Sequence, residues 1–297
     1  MTTFLFSFES ATGLPEIFGY ISTFLFGTIV GSFLNVVIHR VPLEESIVFP
    51  NSACPKCKNP IKSYDNIPVF SWLILGGKCR NCKNPISFRY PAVELLNGLL
   101  FLLTYWAIGF NWYLPVCLIF VATMVSLIFI DSEHMILPNV ITYPLFIFAL
   151  VVRIAFPIIF QTDFFSDMGY SPLVGLTQPA WMVSLFGAIL GALVGGGSLW
   201  LVGEIWKRLR GVDAMGLGDV KMLLGVGALL GWRLTMLTIF IGALTGAIGG
   251  IIMIAKQKDK NMQTQIPFGI FLGIGSIISL LFGEKIVTWY LQNFMPQ

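Results

Sequence analysis

A chain of 297 residues that is 56% hydrophobic and only 11% charged lies far from soluble proteins, in which about 25% of residues are charged. With a mean hydropathy of +0.82 it excludes a water-soluble globular domain, and a net charge of +3 is too small to argue for nucleic acid as a partner. The composition predicts an all-α polytopic membrane protein whose lasting contacts are with membrane lipids.

A helix that crosses the hydrocarbon core needs about 20 mostly apolar residues. Eight such segments are predicted, near 17–38, 92–110, 114–130, 137–159, 180–203, 219–232, 235–255 and 266–283, the sixth being short. The first fourteen residues carry no Lys or Arg and the first apolar run is long enough to span, so no cleavable signal peptide is expected. The expected organisation is a first transmembrane helix (1–38), a polar loop domain (39–91) and a transmembrane catalytic domain holding helices 2 to 8 (92–297).

Orientation follows from Lys and Arg. The loop after segment 1 carries eight of them (Arg40, Lys56, Lys58, Lys62, Lys78, Arg80, Lys83, Arg89). Lys207, Arg208 and Arg210 follow segment 5, and Lys256, Lys258 and Lys260 follow segment 7. If all eight segments span, these fourteen residues share the cytoplasmic side, against Arg153, Arg233 and Lys285 on the other, whose longest loop carries Asp163 and Asp167. Both termini are then expected outside the cytoplasm.

Within the polar loop, "CPKCKNPI" (54–61) recurs as "CRNCKNPI" (79–86), a repeat of 25 residues. Two C-x-x-C pairs at this separation match a four-cysteine zinc site, with Cys54, Cys57, Cys79 and Cys82 as ligands. A two-residue spacer lets both sulfurs of a pair reach one ion at about 2.3 Å. Basic neighbours such as Lys56, Lys58, Arg80 and Lys83 offset a tetrathiolate centre. Two disulfides are the alternative, and the reducing cytosol disfavours them. Four thiolates leave no open position, so the zinc is expected to fold the loop and not to act as a Lewis acid. Cys117, inside segment 3, reads as an apolar packing residue.

Ionisable groups inside membrane spans are costly and point to function. Asp131 ends segment 3 in "SLIFIDSEHMILPN", and Asp219 opens segment 6 in "GLGDVK". The topology set by Lys and Arg puts both at the cytoplasmic face, at one depth on two helices. Gly216 and Gly218 permit positive φ and close backbone approach beside Asp219, and Lys221 follows two residues later. Two carboxyls that meet share one proton and can hydrolyse an amide, one as general base on water and the other as general acid. Asp219 lies at a helix N-terminus and Asp131 at a C-terminus, so the helix dipoles predict Asp219 as the anion and Asp131 as the acid. The bland alternative is that each caps or pairs locally, with Lys221 or His134. Glu133 and Asp213 fall in interfacial loops where charge is cheap, and neither His39 nor His134 has a partner suggesting a Ser or Cys triad.

These motifs together resemble the type IV prepilin peptidases, bacterial membrane enzymes of the GxGD aspartyl protease group. The matching stretches are "GSFLNVVIHRVP" (31–42), the paired C-x-x-C motifs, "DNIPVFSWL" (65–73), "RYPAVELL" (89–96), "IDSEHMILPN" (130–139), "GLGDVKML" (216–223) and "IPFGIFL" (266–272). Ile270 stands where Pro is common, and Asp213 where Glu is more usual. The resemblance implies cleavage of the basic leader from type IV prepilins and type II secretion pseudopilins, at the cytoplasmic membrane face of a bacterium. It implies Asp131 and Asp219 as the catalytic pair, with Gly216, Gly218 and Lys221 supporting the catalytic loop. Members with the four-cysteine loop are typically bifunctional and methylate the new N-terminus with S-adenosylmethionine. No Rossmann fingerprint is present: the glycines of "GALVGGGS" (191–198) and "GALTGAIGG" (242–250) read as helix-packing positions. A methyl-donor site is expected between the cysteine loop and the bilayer, with Glu94 and Gly98 as candidate lining residues.

Three alternatives compete. One is a peptidase that only cleaves. Another is a presenilin-type protease cutting within the bilayer, which normally carries a tyrosine motif at its first aspartate. The third is an ion-coupled transporter, which would place carboxylates near the midplane within repeated halves.

Overall fold

The computed structural model describes residues 7–160, 179–211, 216–256 and 267–294. Asp163, Asp167, Asp213, Lys258, Lys260 and Ile266, all singled out above, lie outside them. The described residues form helices and no strand; two isolated bridges, Ala53 with Pro60 and Lys78 with Pro85, are the only extended pairings among them. The helices are α1 (Phe8–Thr12), α2 (Glu16–Arg40), α3 (Phe70–Ile74), α4 (Arg89–Ile108), α5 (Leu114–His134), α6 (Asn139–Phe160), α7 (Ala180–Ala192), α8 (Ser198–Arg210), α9 (Leu217–Lys256) and α10 (Phe268–Phe294). A π-type turn, Leu193–Gly197, joins α7 to α8 into one continuous span.

Seven of these helical runs are long and apolar enough to cross a membrane. The count is one below the eight segments expected, because segments 6 and 7 form the single run α9. That run is broken at Gly231, whose φ of 78° and ψ of 169° fall where essentially only glycine is stable. Leu234, just after the break, lies against Gly283, far along α10. Gly246 instead lies against Phe268 at the start of α10. Gly218, at the other end of α9, reaches the same start through Leu137, which touches both Gly218 and Gly269. The two limbs of α9 therefore run in opposite senses and correspond to the two predicted segments. The first limb is about 20 Å long at 1.5 Å per residue, shorter than the hydrocarbon core.

The chain divides into two compact units, residues 1–126 and 127–297. In the first, α2 packs on α4. Gly27 and Gly31 remove side chains from the contact, so a Cβ on Gly31 would lie 2.7 Å from the Cα of Glu94. Association in lipid gains little from the hydrophobic effect, and such close backbone approach supplies the packing instead. Asn97 Nδ2 donates to the Gly27 carbonyl at 2.7 Å and fixes the register. Gly98 belongs to this seam, where its Cβ would meet Thr28 Cγ2 at 2.7 Å.

In the second unit, α9 is the central helix and packs on α6, α7 and α10. Gly191 of α7 meets the backbone of Gly227, and Gly195 and Gly196 meet Leu223 and Leu224. Gly242, Gly246 and Gly249 meet Leu272, Phe268 and Phe271 of α10. Both glycine-rich stretches serve helix packing, as expected from their place in membrane spans.

Candidate active site and metal centre

Asp131 lies in the last turn of α5 and Asp219 in the first turn of α9; they are 5% and 9% exposed. The two carboxyls are within electrostatic reach of each other. Leu137, in the loop between α5 and α6, is wedged between Gly218 and Gly269, and a Cβ on Gly269 would lie 2.8 Å from Asp131 Oδ2. Gly216 backs onto the Asp219 carboxyl, its notional Cβ 3.4 Å from Oδ2, and its carbonyl accepts the Asp219 N–H at 3.1 Å. Neither Gly216 nor Gly218 takes the positive φ that its residue type permits; a Cβ on Gly218 would lie 2.9 Å from Leu137 Cβ, so close approach is required there, whereas at Gly216 the contact would be an ordinary one.

One contact was not legible in the sequence. The backbone N–H of Ile270 donates to Asp131 Oδ2 at 3.1 Å, and that of Gly269 also bonds the carboxyl. Asp131 thereby caps the N-terminus of α10, whose unpaired N–H groups and positive dipole end suit an anion. The dipole reading from the sequence considered only the helix that carries each aspartate, and the N-terminus of α10 adds a third dipole that favours an anion at Asp131. The stretch "IPFGIFL" held the signal, since Pro at the head of an apolar run marks a helix start, but nothing local names which carboxyl it meets.

Lys221 does not pair with Asp219. Its Nζ donates to Asn139 Oδ1 at 2.8 Å and sits 5.3 Å from the centre of the Tyr143 ring, tying α9 to the start of α6.

The four cysteines of the loop are reduced, and their Sγ atoms all lie within 4.8 Å of one another, a geometry that can hold a metal ion. Cys54 and Cys82 Sγ are 3.8 Å apart. That matches the edge of a tetrahedron, about 3.8 Å, built on bonds of about 2.3 Å. The sequence repeat is a structural repeat. In each copy the first Cys N–H bonds an Asn carbonyl, from Asn59 at 2.9 Å and from Asn84 at 2.8 Å. Lys58 and Lys83 each take a φ of 57°, turning the chain around the cysteines. Asn84 Nδ2 donates to Cys82 Sγ at 3.3 Å, and the Asn84 backbone and side chain together draw the Cys82 thiol down to about 6, so it is ready as a thiolate near neutrality. Arg80 grips Asp65 through both oxygens, with Nη2 to Oδ1 at 2.6 Å, and holds that carboxyl below its usual range.

Glu94 lines a cavity beside this loop, whereas Gly98 does not and serves the α2–α4 seam.

Fold and site define a class: a helical multi-pass membrane protein that buries two neighbouring carboxyls at helix ends and carries a four-thiol cluster in a polar loop. Residues 25–108 match the bacterial peptidase A24 N-terminal domain, and residues 118–251 match the type IV leader peptidase family. The chain belongs to that family. It is 37% identical over 293 residues to a prepilin leader peptidase/N-methyltransferase of Pseudomonas aeruginosa, covering 91% of this chain and 92% of the relative. Proteins of the same name from Aeromonas hydrophila (35% over 311 residues, 97% and 98% covered) and Neisseria gonorrhoeae (35% over 295 residues, 90% and 93% covered) are similar along nearly their whole length. No solved structure matches. Apolar helices and relatives together make this a multi-pass inner-membrane protein.

Proposed function

We propose that this chain removes the basic leader peptide from type IV prepilins and pseudopilins at the cytoplasmic membrane face, and then methylates the exposed N-terminus. The pairing of Asp131 and Asp219 carries the reading. Asp131, held by the N–H groups of α10, is the anion and general base; Asp219 holds the shared proton and is the general acid. Asp131 takes a proton from water as the water oxygen bonds to the scissile carbonyl carbon, and Asp219 gives its proton to the carbonyl oxygen. In the second step the leaving nitrogen takes the proton from Asp131 as the C–N bond breaks, and Asp219 recovers its own as the carboxyl re-forms. A bilayer-embedded substrate with a short basic leader presents its scissile bond at the interface, the depth expected for both aspartates. The excess of Lys and Arg in the loops after segments 1, 5 and 7 supports the cytoplasmic placement.

The four cysteines fit a structural zinc ion, by donor chemistry and by spacing. They leave no vacant position on it, so the ion organises residues 52–86 and takes no part in cleavage. S-adenosylmethionine fits the second activity: when bound it supplies a methyl group to the amine lone pair, the sulfonium sulfur keeping the C–S electron pair and the amine proton passing to solvent.

The test is reconstitution in lipid with a prepilin and mass spectrometry of the product. Loss of the leader is expected, followed by a gain of one methyl group only with S-adenosylmethionine present. An intact substrate would refute the peptidase, and an unmethylated product would leave a cleavage-only enzyme.

A further inference from the structure

Helix α3, in the stretch "DNIPVFSWL" and just beyond it, is amphipathic the wrong way round for a helix in water. Phe70, Leu73 and Ile74 are 59%, 60% and 79% exposed, and their i, i+3, i+4 spacing puts them on one face. The residues between them turn inward. Ser71 is buried and its hydroxyl donates to the Tyr64 carbonyl at 3.1 Å, while Trp72 Nε1 donates to the Ile86 carbonyl at 3.1 Å. Phe88, 68% exposed, meets the Trp72 ring edge to face at 5.7 Å and adds to the exposed apolar surface beside α3. Single exposed apolar residues are ordinary, but a face built of them marks a binding surface.

Position, rigidity and charge all point to lipid as its cover. The N–H of Val69, directly before α3, donates to Glu94 Oε2 at 2.7 Å. Glu94 lies five residues into α4, about 7.5 Å along an axis that rises 1.5 Å per residue, and α4 is one of the runs apolar enough to span. The exposed face of α3 therefore starts level with the first turns of a membrane helix, whose Leu95, Leu96 and Leu99 are exposed as well. Val69 makes its bond from a φ of 61°, which is rare for a β-branched residue and persists only where the surroundings hold it. The attachment of α3 to α4 is thus fixed. Around it, residues 39–91 carry eight Lys and Arg against Glu44, Glu45 and Asp65, and Lys78 is exposed just past α3. Cations flanking an apolar face suit anionic headgroups above acyl chains. At five residues, about 7.5 Å, α3 is too short to seat the i to i+7 anchors of a docked protein helix.

We infer that α3 is an interfacial membrane anchor: Phe70, Leu73, Ile74 and Phe88 enter the acyl-chain boundary of the bilayer that α2 and α4 cross, and fasten the four-cysteine loop against the membrane surface. The loop then has a third point of attachment besides the ends of those two spans. Its partner on this face is phospholipid.

The test is photolabelling of full-length protein in vesicles of phosphatidylcholine and phosphatidylglycerol. A trace of phosphatidylcholine carries a diazirine near the top of one acyl chain, and cross-linked residues are mapped by mass spectrometry. Label is expected on Phe70, Leu73, Ile74 and Phe88 at a level comparable with Leu95 and Leu96 of α4, and about tenfold weaker on residues 54–61 and 79–86. The double variant Leu73→Glu, Ile74→Glu changes only exposed side chains and should cut labelling of Phe70 about tenfold, while Leu73→Met keeps it. A single gel-filtration peak and unaltered hydrogen exchange in α4 check that the double variant is folded. Absence of label on residues 70–74 while Leu95 and Leu96 are labelled overturns the inference. Equal labelling of residues 54–61, or unchanged labelling of Phe70 in the folded double variant, does the same. So does protection of residues 70–74 by an added prepilin, which would assign the face to a protein and not to lipid.

Discussion

The cysteine loop and the carboxyl pair are built in opposite ways. The loop takes its four sulfurs from two copies of one short motif, each turned by its own backbone hydrogen bonds and its own left-handed lysine. The carboxyls come from helices α5 and α9; Leu137 is wedged beside them between Gly218 and Gly269, and the N-terminus of α10 holds Asp131. One donor set is local and repeated; the other exists only once several helices have packed. The first should tolerate change elsewhere in the chain, and the second should fail under a change of one methyl group.

The largest effect that could break this contrast is at the carboxyls themselves. Asp131→Asn and Asp219→Asn are each expected to lower kcat for leader cleavage by about 10³-fold or more, with expression and helix content unchanged. Normal processing of a prepilin by either variant would remove that residue from the reaction.

Gly269→Ala comes next, because its methyl group would fall 2.8 Å from Asp131 Oδ2 and 3.0 Å from Leu137 Cδ1. A shift of the carboxyl by a fraction of an ångström predicts a loss of roughly 10–100-fold in kcat with KM little changed. Gly197→Ala, whose methyl group meets nothing within 4 Å, is the matched control and should cleave normally. Equal behaviour of the two would mean that the α10 N-terminus does not position Asp131.

For the loop, replacing Cys54 and Cys57 together by Ser should reduce bound metal from about one ion per chain to none. Hydrogen exchange in residues 52–86 should rise, while the first limb of α9 keeps its protection. Loss of protection in both places would show that the two regions are not independent.

Lys221→Met should cost about 1 kcal/mol in reversible detergent unfolding, from the bond to Asn139 and the contact with Tyr143. The smallest effect concerns Asp65, whose carboxyl the Arg80 guanidinium holds below the ordinary 3.8. A depressed carboxyl stabilises the fold fully above the ordinary value, and that contribution fades as pH falls through the depressed one. Exchange protection of residues 62–80, corrected for intrinsic rates, should therefore weaken below about pH 3.8 in the parent and lose that pH dependence in Asp65→Asn.

The sequence by itself determined the helical membrane class, the places of the spans, the four-thiol donor set and the two aspartates at span ends. All of these follow from local properties: apolar length, a two-residue cysteine spacer, and the cost of a charge in lipid. It was silent on everything that depends on which helix meets which. Gly231 had no local mark to distinguish it from neighbouring packing glycines, yet it alone reverses α9 and turns seven helical runs into eight segments. Gly98 read as a lining residue and is a seam residue, because only the approach of α2 decides which face of α4 is covered. The cap on Asp131 joins a carboxyl of α5 to the N-terminus of α10, a contact that neither aspartate's own helix announces. Tertiary packing settled these points because van der Waals contact and hydrogen bonding between remote segments are set by their arrangement in space, which spacing along the chain does not encode.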